Sequence, residues 1–147
     1  MLVLLVEDDA IVCLTVGEFL RGAGFEVLEA ADAANAAEAL NATEDAAWRI
    51  SVLVTDLDLG PGPDGLALAA MLRARLSTLP VICATGSPER LEGAVPVRPG
   101  QVLVKPFDMD ALVRAVRVLE ARRAGRPRAR PVEIRSRASR VLGPEIA

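Results

Sequence analysis

Four short apolar runs of the sequence each end on residues that can handle a phosphoryl group. The acidic triplet Glu7-Asp8-Asp9 follows the first run, Asp56 and Thr85 follow two later runs, and Lys105 follows the last. Runs of this length are typical of parallel strands that are buried on both faces. In open α/β sheets, ligands bind outside the carboxyl ends of the strands. We therefore expect these side chains to meet at one edge, where they suit Mg²⁺-assisted phosphoryl transfer onto Asp56.

Strand-like and helix-like segments alternate along the chain, which predicts a parallel α/β sheet. The predicted strands are Leu2–Val6, Phe25–Leu28, Ile50–Thr55, Val81–Ala84 and Gln101–Val104. Helical spacing of apolar residues follows the first, second, third and fifth strands. The residues expected to open the last three helices are Asp32, Asp64 or Gly65, and Asp108. Between strands four and five the pattern predicts a short helix around Pro88–Glu92 and then an irregular loop, because proline and glycine interrupt the rest.

Length and composition indicate one compact soluble domain. The chain has 147 residues, of which 52% are hydrophobic and 25% charged, as in ordinary globular proteins. No apolar run approaches the ~20 residues that span a bilayer, and no basic region precedes Leu2, so we expect a cytoplasmic protein without membrane insertion or signal peptide. Cys13 and Cys83 are isolated among apolar residues and are predicted to be core residues in a reducing compartment. Histidine is absent, which excludes histidine-based acid/base chemistry, histidine metal ligands and a phosphohistidine within this chain.

Charge divides the sequence into an acidic body and a basic tail. Residues 1–121 carry 9 basic against 18 acidic residues, whereas residues 122–147 carry eight arginines against Glu133 and Glu145. The apolar periodicity stops at Ala124, and the Arg/Pro-rich stretch that follows is typical of an extended linker. We expect a folded domain over residues 1–122 and a tail over residues 123–147 that is most simply a solvated or disordered end.

The motifs, taken in order, resemble the receiver domain of two-component response regulators over about residues 1–122. The matching segments are Val-Glu-Asp-Asp at 6–9, Asp56, Asp64-Gly65, Thr85-Gly86 and Lys105-Pro106-Phe107. The resemblance implies a flavodoxin-like, doubly wound, five-stranded parallel sheet of order 2-1-3-4-5 with helices on both faces. A cis peptide bond between Lys105 and Pro106 is a feature of the family that the sequence itself does not predict.

The resemblance also implies a phosphoacceptor and a magnesium site. Asp56 is the acceptor and a metal ligand, Asp8 binds Mg²⁺ directly, Glu7 acts through water, and the backbone carbonyl of Asp58 completes the protein's share of the metal shell. A divalent cation is needed to hold carboxylates that otherwise repel one another. The loop from Leu57 to Gly65 is one residue longer than the commonest version. The side chain of Asp58 adds a negative charge beside the acceptor, with an effect on phosphorylation, dephosphorylation or metal binding that stays open.

Thr85 and Lys105 are expected to bind phosphoryl oxygens, again by resemblance. Lys105 is the only lysine in a chain with 16 arginines, and lysine provides a compact point charge. Val102 stands where many receivers have an aromatic residue that moves together with the threonine. The segment Cys83–Gly86 resembles a subgroup of single-domain receivers with Phe-Ala-Thr-Gly, although it lacks the Phe. Our hypothesis is therefore that signalling works mainly by reordering Thr85–Gly100.

These features favour a stand-alone receiver, a signalling protein rather than an enzyme. It would accept phosphate from a partner histidine kinase or phosphotransfer protein and signal through protein–protein interaction, as a monomer or a phosphorylation-dependent dimer. One alternative is a receiver fragment of a hybrid kinase or larger regulator. Another is a regulator whose tail binds nucleic acid, which is disfavoured because no helix-turn-helix is visible and no aromatic residue follows Phe107. A haloacid-dehalogenase-like phosphatase would use the spacing of Asp56 and Asp58, but the other motifs and the small size favour the receiver.

Overall fold

The computed structural model describes residues 1–42, 49–91 and 100–125. Within these ranges, five strands form one parallel sheet of order β2-β1-β3-β4-β5. The strands are β1 (Leu2–Val6), β2 (Glu26–Ala30), β3 (Ile50–Asp56), β4 (Val81–Thr85) and β5 (Gly100–Val104). The helices are α1 (Ala10–Gly22), α2 (Ala33–Asn41), α3 (Gly65–Arg73) and α4 (Met109–Ala124), with a 3₁₀ helix at Pro88–Leu91. The predicted fold class and strand order are confirmed.

Alternate residues of β1 enter two separate hydrophobic layers, as the period of two in a strand requires. Leu2, Leu4 and Val6 pack with residues of α2 and α3 on one face. Val3 and Leu5 pack with residues of α1 and α4 on the other. Because both faces are covered, the central strands need continuous apolar sequence, and this explains why the runs could be identified without regular alternation.

An aspartate caps the start of each of the four α-helices in the described part of the chain. The side chains of Asp9, Asp32, Asp64 and Asp108 accept hydrogen bonds from backbone N–H groups of the first turns of α1, α2, α3 and α4. A cap of this kind stabilises a helix by about 1 kcal/mol. The predictions of Asp32 and Asp108 are confirmed, and Asp64 rather than Gly65 is the cap of α3. Each cap follows a strand by a loop, after β1, β2, β3 and β5 respectively, so the caps help to fix where the site loops end.

The edge strands and the connection before β5 differ in extent from the predictions. The strand predicted at Phe25–Leu28 is β2, which continues to Ala30 because Ala30 pairs with Val6 of β1. Its sequence is interrupted by Glu29, which forms an ion pair with Arg21 of α1 (Nη1–Oε1 2.8 Å). The short helix expected around Pro88–Glu92 is the 3₁₀ helix; the loop predicted after it and most of the Arg/Pro-rich tail lie outside the described residues.

Both cysteines are buried, as predicted. Cys13 lies on α1 and Cys83 on β4. Burial, and to a smaller extent a nearby carboxylate, raise the pKa of each thiol to about 11. The carboxylate is Glu29 for Cys13 and Asp56 for Cys83. The thiols are therefore neutral at physiological pH and act as small core groups. None of the helices in the described ranges combines the length and apolar character needed to cross a bilayer.

Candidate functional site

The carboxyl ends of the three central strands bring the predicted site residues together. Glu7 directly follows β1, whereas Asp56 and Thr85 are the last residues of β3 and β4. In the parallel register, Val6 pairs with Thr55, so the ends of β1 and β3 are level. This alignment follows from three apolar runs of similar length in one sheet, and it places an acidic residue at each of two neighbouring strand ends.

Three carboxylates form a cluster at this edge. One oxygen each of Glu7, Asp8 and Asp56 lies within 4.8 Å of the others. The Glu7 side chain is buried (6% exposed). Burial raises the pKa of Glu7, and the charge of Asp56 adds to this, whereas a backbone hydrogen bond from Asp9 and the charge of Lys105 oppose it. Oxygen ligands without nitrogen or sulfur suit a hard cation, and Mg²⁺ commonly takes one or two carboxylates. The donor set therefore fits the predicted Mg²⁺.

Lys105 reaches into the carboxylate cluster from the end of β5. Its Nζ lies 2.8 Å from Asp56 Oδ2 and 3.4 Å from Glu7 Oε2. Its backbone N–H donates to the carbonyl of Thr85 (2.8 Å), and the peptide bond between Lys105 and Pro106 is cis. Partial burial alone would lower the pKa of Lys105, but the hydrogen bond with Asp56 and the charges of Glu7 and Asp56 raise it overall. The ammonium group is therefore positively charged where a phosphoryl oxygen would need it.

The backbone around Asp56 is fixed by close contacts. The Asp58 N–H donates to Asp56 Oδ1 (3.3 Å), and Thr55 Oγ1 donates to the Asp56 carbonyl (2.8 Å). Gly65 lies so close that a Cβ built on it would be 2.1 Å from that same carbonyl oxygen. The Gly65 N–H donates to the Leu57 carbonyl (2.9 Å), which closes the loop. The sequence indicated a cap and a turn at this glycine, but not its close packing against the acceptor. The only sequence signal for that packing was a glycine directly after a capping aspartate.

Thr85 is buried at the end of β4. Its Oγ1 accepts a hydrogen bond from the Ser87 N–H (3.0 Å), which leaves the hydroxyl proton as a donor. Val102, at the position that is aromatic in many receivers, lies on the edge strand β5 and is 40% exposed. The structure places Thr85 at the same edge of the sheet as Asp56, and its contact with a phosphoryl group stays a prediction.

The Asp58 side chain forms an ion pair that sequence reasoning missed. Arg90 Nη1 contacts Asp58 Oδ1 and joins the loop after β3 to the 3₁₀ helix after β4. The two residues are 32 positions apart, and no local pattern links them. In the structure the Asp58 carboxylate contacts Arg90, whereas the phosphatase alternative would use it as the acid or base beside the reacting group.

Comparisons with known proteins agree with this geometry. The family model described as "Response regulator receiver domain" matches residues 3–117. The transcriptional regulatory protein PrrA of Mycobacterium leprae is 36% identical over 123 residues; the alignment covers 82% of this chain and 50% of PrrA. The chain thus spans about half the length of the curated relatives it matches.

Solved structures show the same fold. A response regulator receiver protein from Sinorhizobium medicae superposes with a TM-score of 0.72 at 30% identity, covering 84% of this chain and 96% of that one. The receiver domain of the hybrid histidine kinase CckA superposes with a TM-score of 0.66 at 32% identity, covering 82% and 99%. Since the family model covers most of the chain and the strand order, the acidic cluster and the lysine all agree with it, this protein belongs to the response regulator receiver domain family of two-component signalling proteins.

Proposed function

We propose that this chain is a stand-alone receiver that accepts a phosphoryl group on Asp56 from a phosphohistidine of a partner histidine kinase or phosphotransfer protein. The observation that carries the proposal is the contact of Lys105 Nζ with Asp56 Oδ2 (2.8 Å) beside the cluster with Glu7 and Asp8. This arrangement pairs an oxygen nucleophile with a fixed positive charge and a set of cation ligands. The absence of histidine from the chain supports a donor on another protein.

The chemistry is a displacement at phosphorus. An Asp56 carboxylate oxygen forms a bond to phosphorus while the phosphorus–nitrogen bond of the donor breaks, and the product is an acyl phosphate. Lys105 pairs with one phosphoryl oxygen, and the Thr85 hydroxyl donates to another. The residues that would hold Mg²⁺ are Asp8, Asp56, Asp58 through its carbonyl and Glu7 through water. The bound cation would neutralise the negative charge that gathers on the transferred group. Phosphoryl transfer of this kind needs positioning and charge more than an acid or base.

Incubation with acetyl phosphate and Mg²⁺ tests this proposal. We expect the intact mass to increase by one phosphoryl group, and a chelator to prevent the increase. Asp56→Asn should abolish it, because an amide oxygen is a poor nucleophile, whereas Asp58→Asn is the matched control two residues away and should still be modified. A mass increase that persists in Asp56→Asn contradicts the assignment of the acceptor.

A receiver segment of a hybrid kinase or a larger regulator is the second candidate. It is supported by the coverage of only half of PrrA and by the 32% identity to the CckA receiver domain. Immunoblotting of the source cells separates the two candidates. A band near 15.5 kDa supports the stand-alone receiver, and only larger bands support the second candidate.

A further inference from the structure

The Asp58–Arg90 ion pair lies at the mouth of the phosphorylation site. Asp58 is two residues beyond the acceptor, and Arg90 is five residues beyond Thr85, so the pair joins the loops that follow β3 and β4. Both side chains are largely exposed, Asp58 by 63% and Arg90 by 48%. Exposed ion pairs contribute little to folding, so the significance of this pair lies in its position beside the acceptor.

Carboxylates outnumber the cationic side chains that contact them at this mouth. Lys105 already contacts Asp56 and Glu7, so it is committed to the carboxylates at the strand ends. The carboxylate of Asp58 adds a further negative charge, exposed to solvent, two residues beyond the acceptor. Arg90 neutralises that charge. Without Arg90, an anionic donor would approach one more uncompensated carboxylate.

The same pair orients the acceptor loop. The backbone N–H of Asp58 donates to Asp56 Oδ1 across 3.3 Å, which is long for a hydrogen bond and depends on the loop conformation. Arg90 holds the side chain of the residue that makes this bond. Arginine suits the task because its planar guanidinium binds a carboxylate with defined geometry and remains charged at every relevant pH.

We propose that Arg90 is a positioning residue for phosphorylation of Asp56: it acts through Asp58, by cancelling the charge of that side chain at the entrance and by holding the loop against the acceptor. This inference rests on the proposed function of Asp56 as phosphoacceptor. It adds a residue that does not lie at the end of a strand to the residues of the site, and it gives the side chain of Asp58 a defined role.

The test is the initial rate of phosphorylation by acetyl phosphate at saturating Mg²⁺, measured at low and at high salt. For Arg90→Ala we expect the rate to fall about fivefold at low salt, since one uncompensated carboxylate repels a doubly charged donor. The loss should shrink below about twofold at 1 M salt, where the Debye length is about 3 Å. Arg90→Lys should retain most of the rate. The double variant Asp58→Asn/Arg90→Ala should recover all but a residual loss of less than about twofold, because no uncompensated charge is left whereas the contact that holds the loop is still absent. Arg75→Ala, which removes an exposed arginine just beyond the far end of α3, is the matched control.

A structural readout needs no phosphodonor. In the Mg²⁺-free protein, the amide resonance of Asp58 should shift in Arg90→Ala and should be unchanged in Arg75→Ala. A rate and an amide resonance in Arg90→Ala that match those of Arg75→Ala overturn the inference while leaving the proposed function intact. Failure of the wild-type protein to accept phosphate on Asp56 overturns the proposed function itself. A loss of rate that is independent of salt and is not recovered by Asp58→Asn also overturns the role of charge at the entrance.

Discussion

The central and edge strands of the sheet differ in how completely they are enclosed. β1 and β4 are buried along their whole length, and β3 is buried up to Asp56. The edge strands β2 and β5 are mostly half-buried or exposed. Glu7, Asp56 and Thr85 belong to the ends of central strands, whereas Lys105 follows an edge strand. The carboxylates are therefore held by a closely packed interior, and the lysine reaches them from the margin of the sheet.

This difference extends to how helices approach the strands. At the centre, Gly65 of α3 lies against the backbone of β3, since a Cβ there would be 2.1 Å from the Asp56 carbonyl oxygen. At the edge, Gly17 of α1 lies against β2 through a side chain, since a Cβ there would be 2.2 Å from Glu29 Oε1. The Asp56 carbonyl belongs to the backbone of β3, which pairs with Ala84 of β4 at this residue, so it cannot move without shifting the strand. The end of a glutamate side chain can rotate away. The centre is thus expected to tolerate far less change than the edge.

The largest expected effect is that of Gly65→Ala. The new methyl group would clash with the Asp56 carbonyl and with Thr55 Oγ1, so we expect a loss of about 3 kcal/mol or more in the free energy of unfolding. Gly22→Ala is the matched control, because a Cβ on Gly22 meets no atom within 4 Å, and this change should be neutral or stabilising. Urea denaturation followed by circular dichroism measures both. Equal stability of Gly65→Ala and the wild type would show that the centre of the sheet yields more easily than the structure implies.

A smaller contrast is expected between two valines. Val52 of β3 is fully buried, whereas Val104 of β5 is 49% exposed. Replacing Val52 with alanine removes two buried methyl groups and leaves a cavity, which should cost about 2 kcal/mol of unfolding free energy. Val104→Ala removes the same atoms from the edge strand and should cost roughly 0.5 kcal/mol or less. Denaturation midpoints at equal slope measure the difference, and similar losses for the two variants would contradict the division into centre and edge.

The same division explains how much could be predicted from the sequence. The central strands and the meeting of Glu7 with Asp56 followed from continuous apolar runs, because enclosure on both faces leaves little freedom in composition. The strand order followed from the resemblance to receiver domains. The sequence pattern predicts that β2 ends at Leu28, two residues too early, because Glu29 interrupts the apolar run. Pairing with β1 and the contact of Glu29 with Arg21 extend the strand to Ala30. At an edge strand, residues can be polar without loss of pairing, so the sequence pattern is weaker there.

Two features of the site could not be derived from local sequence patterns. The approach of Gly65 to the Asp56 carbonyl depends on how the eight-residue loop between β3 and α3 closes, which chain geometry decides. The pairing of Arg90 with Asp58 joins two loops through exposed charges, and many exposed arginines have no such role. Residue types at strand ends therefore predicted which groups meet, whereas the contacts that hold the loops around them depended on the three-dimensional path of the chain.

The smallest change in the free energy of unfolding is expected for Gly17→Ala, which tests whether the edge of the sheet at β2 yields to an added methyl group. Alanine favours a helix interior by about 1 kcal/mol over glycine. In the wild-type background this gain is offset, because the new methyl group displaces the Glu29 carboxylate from its ion pair with Arg21 (2.8 Å). A partly exposed ion pair of this kind stabilises the folded state by about 0–1 kcal/mol. We expect a net change close to zero there, and a stabilisation of about 0.5–1 kcal/mol when the same change is made in a Glu29→Ala background.

A double-mutant cycle of thermal or urea denaturation measures that coupling between Gly17 and Glu29. No corresponding side-chain substitution can relieve Gly65→Ala, because its main obstacle is the Asp56 backbone. If Gly17→Ala costs as much as Gly65→Ala and Glu29→Ala does not relieve it, the edge of the sheet is as unyielding as its centre. In that case the division into an unyielding centre and a yielding edge would have to be abandoned at β2.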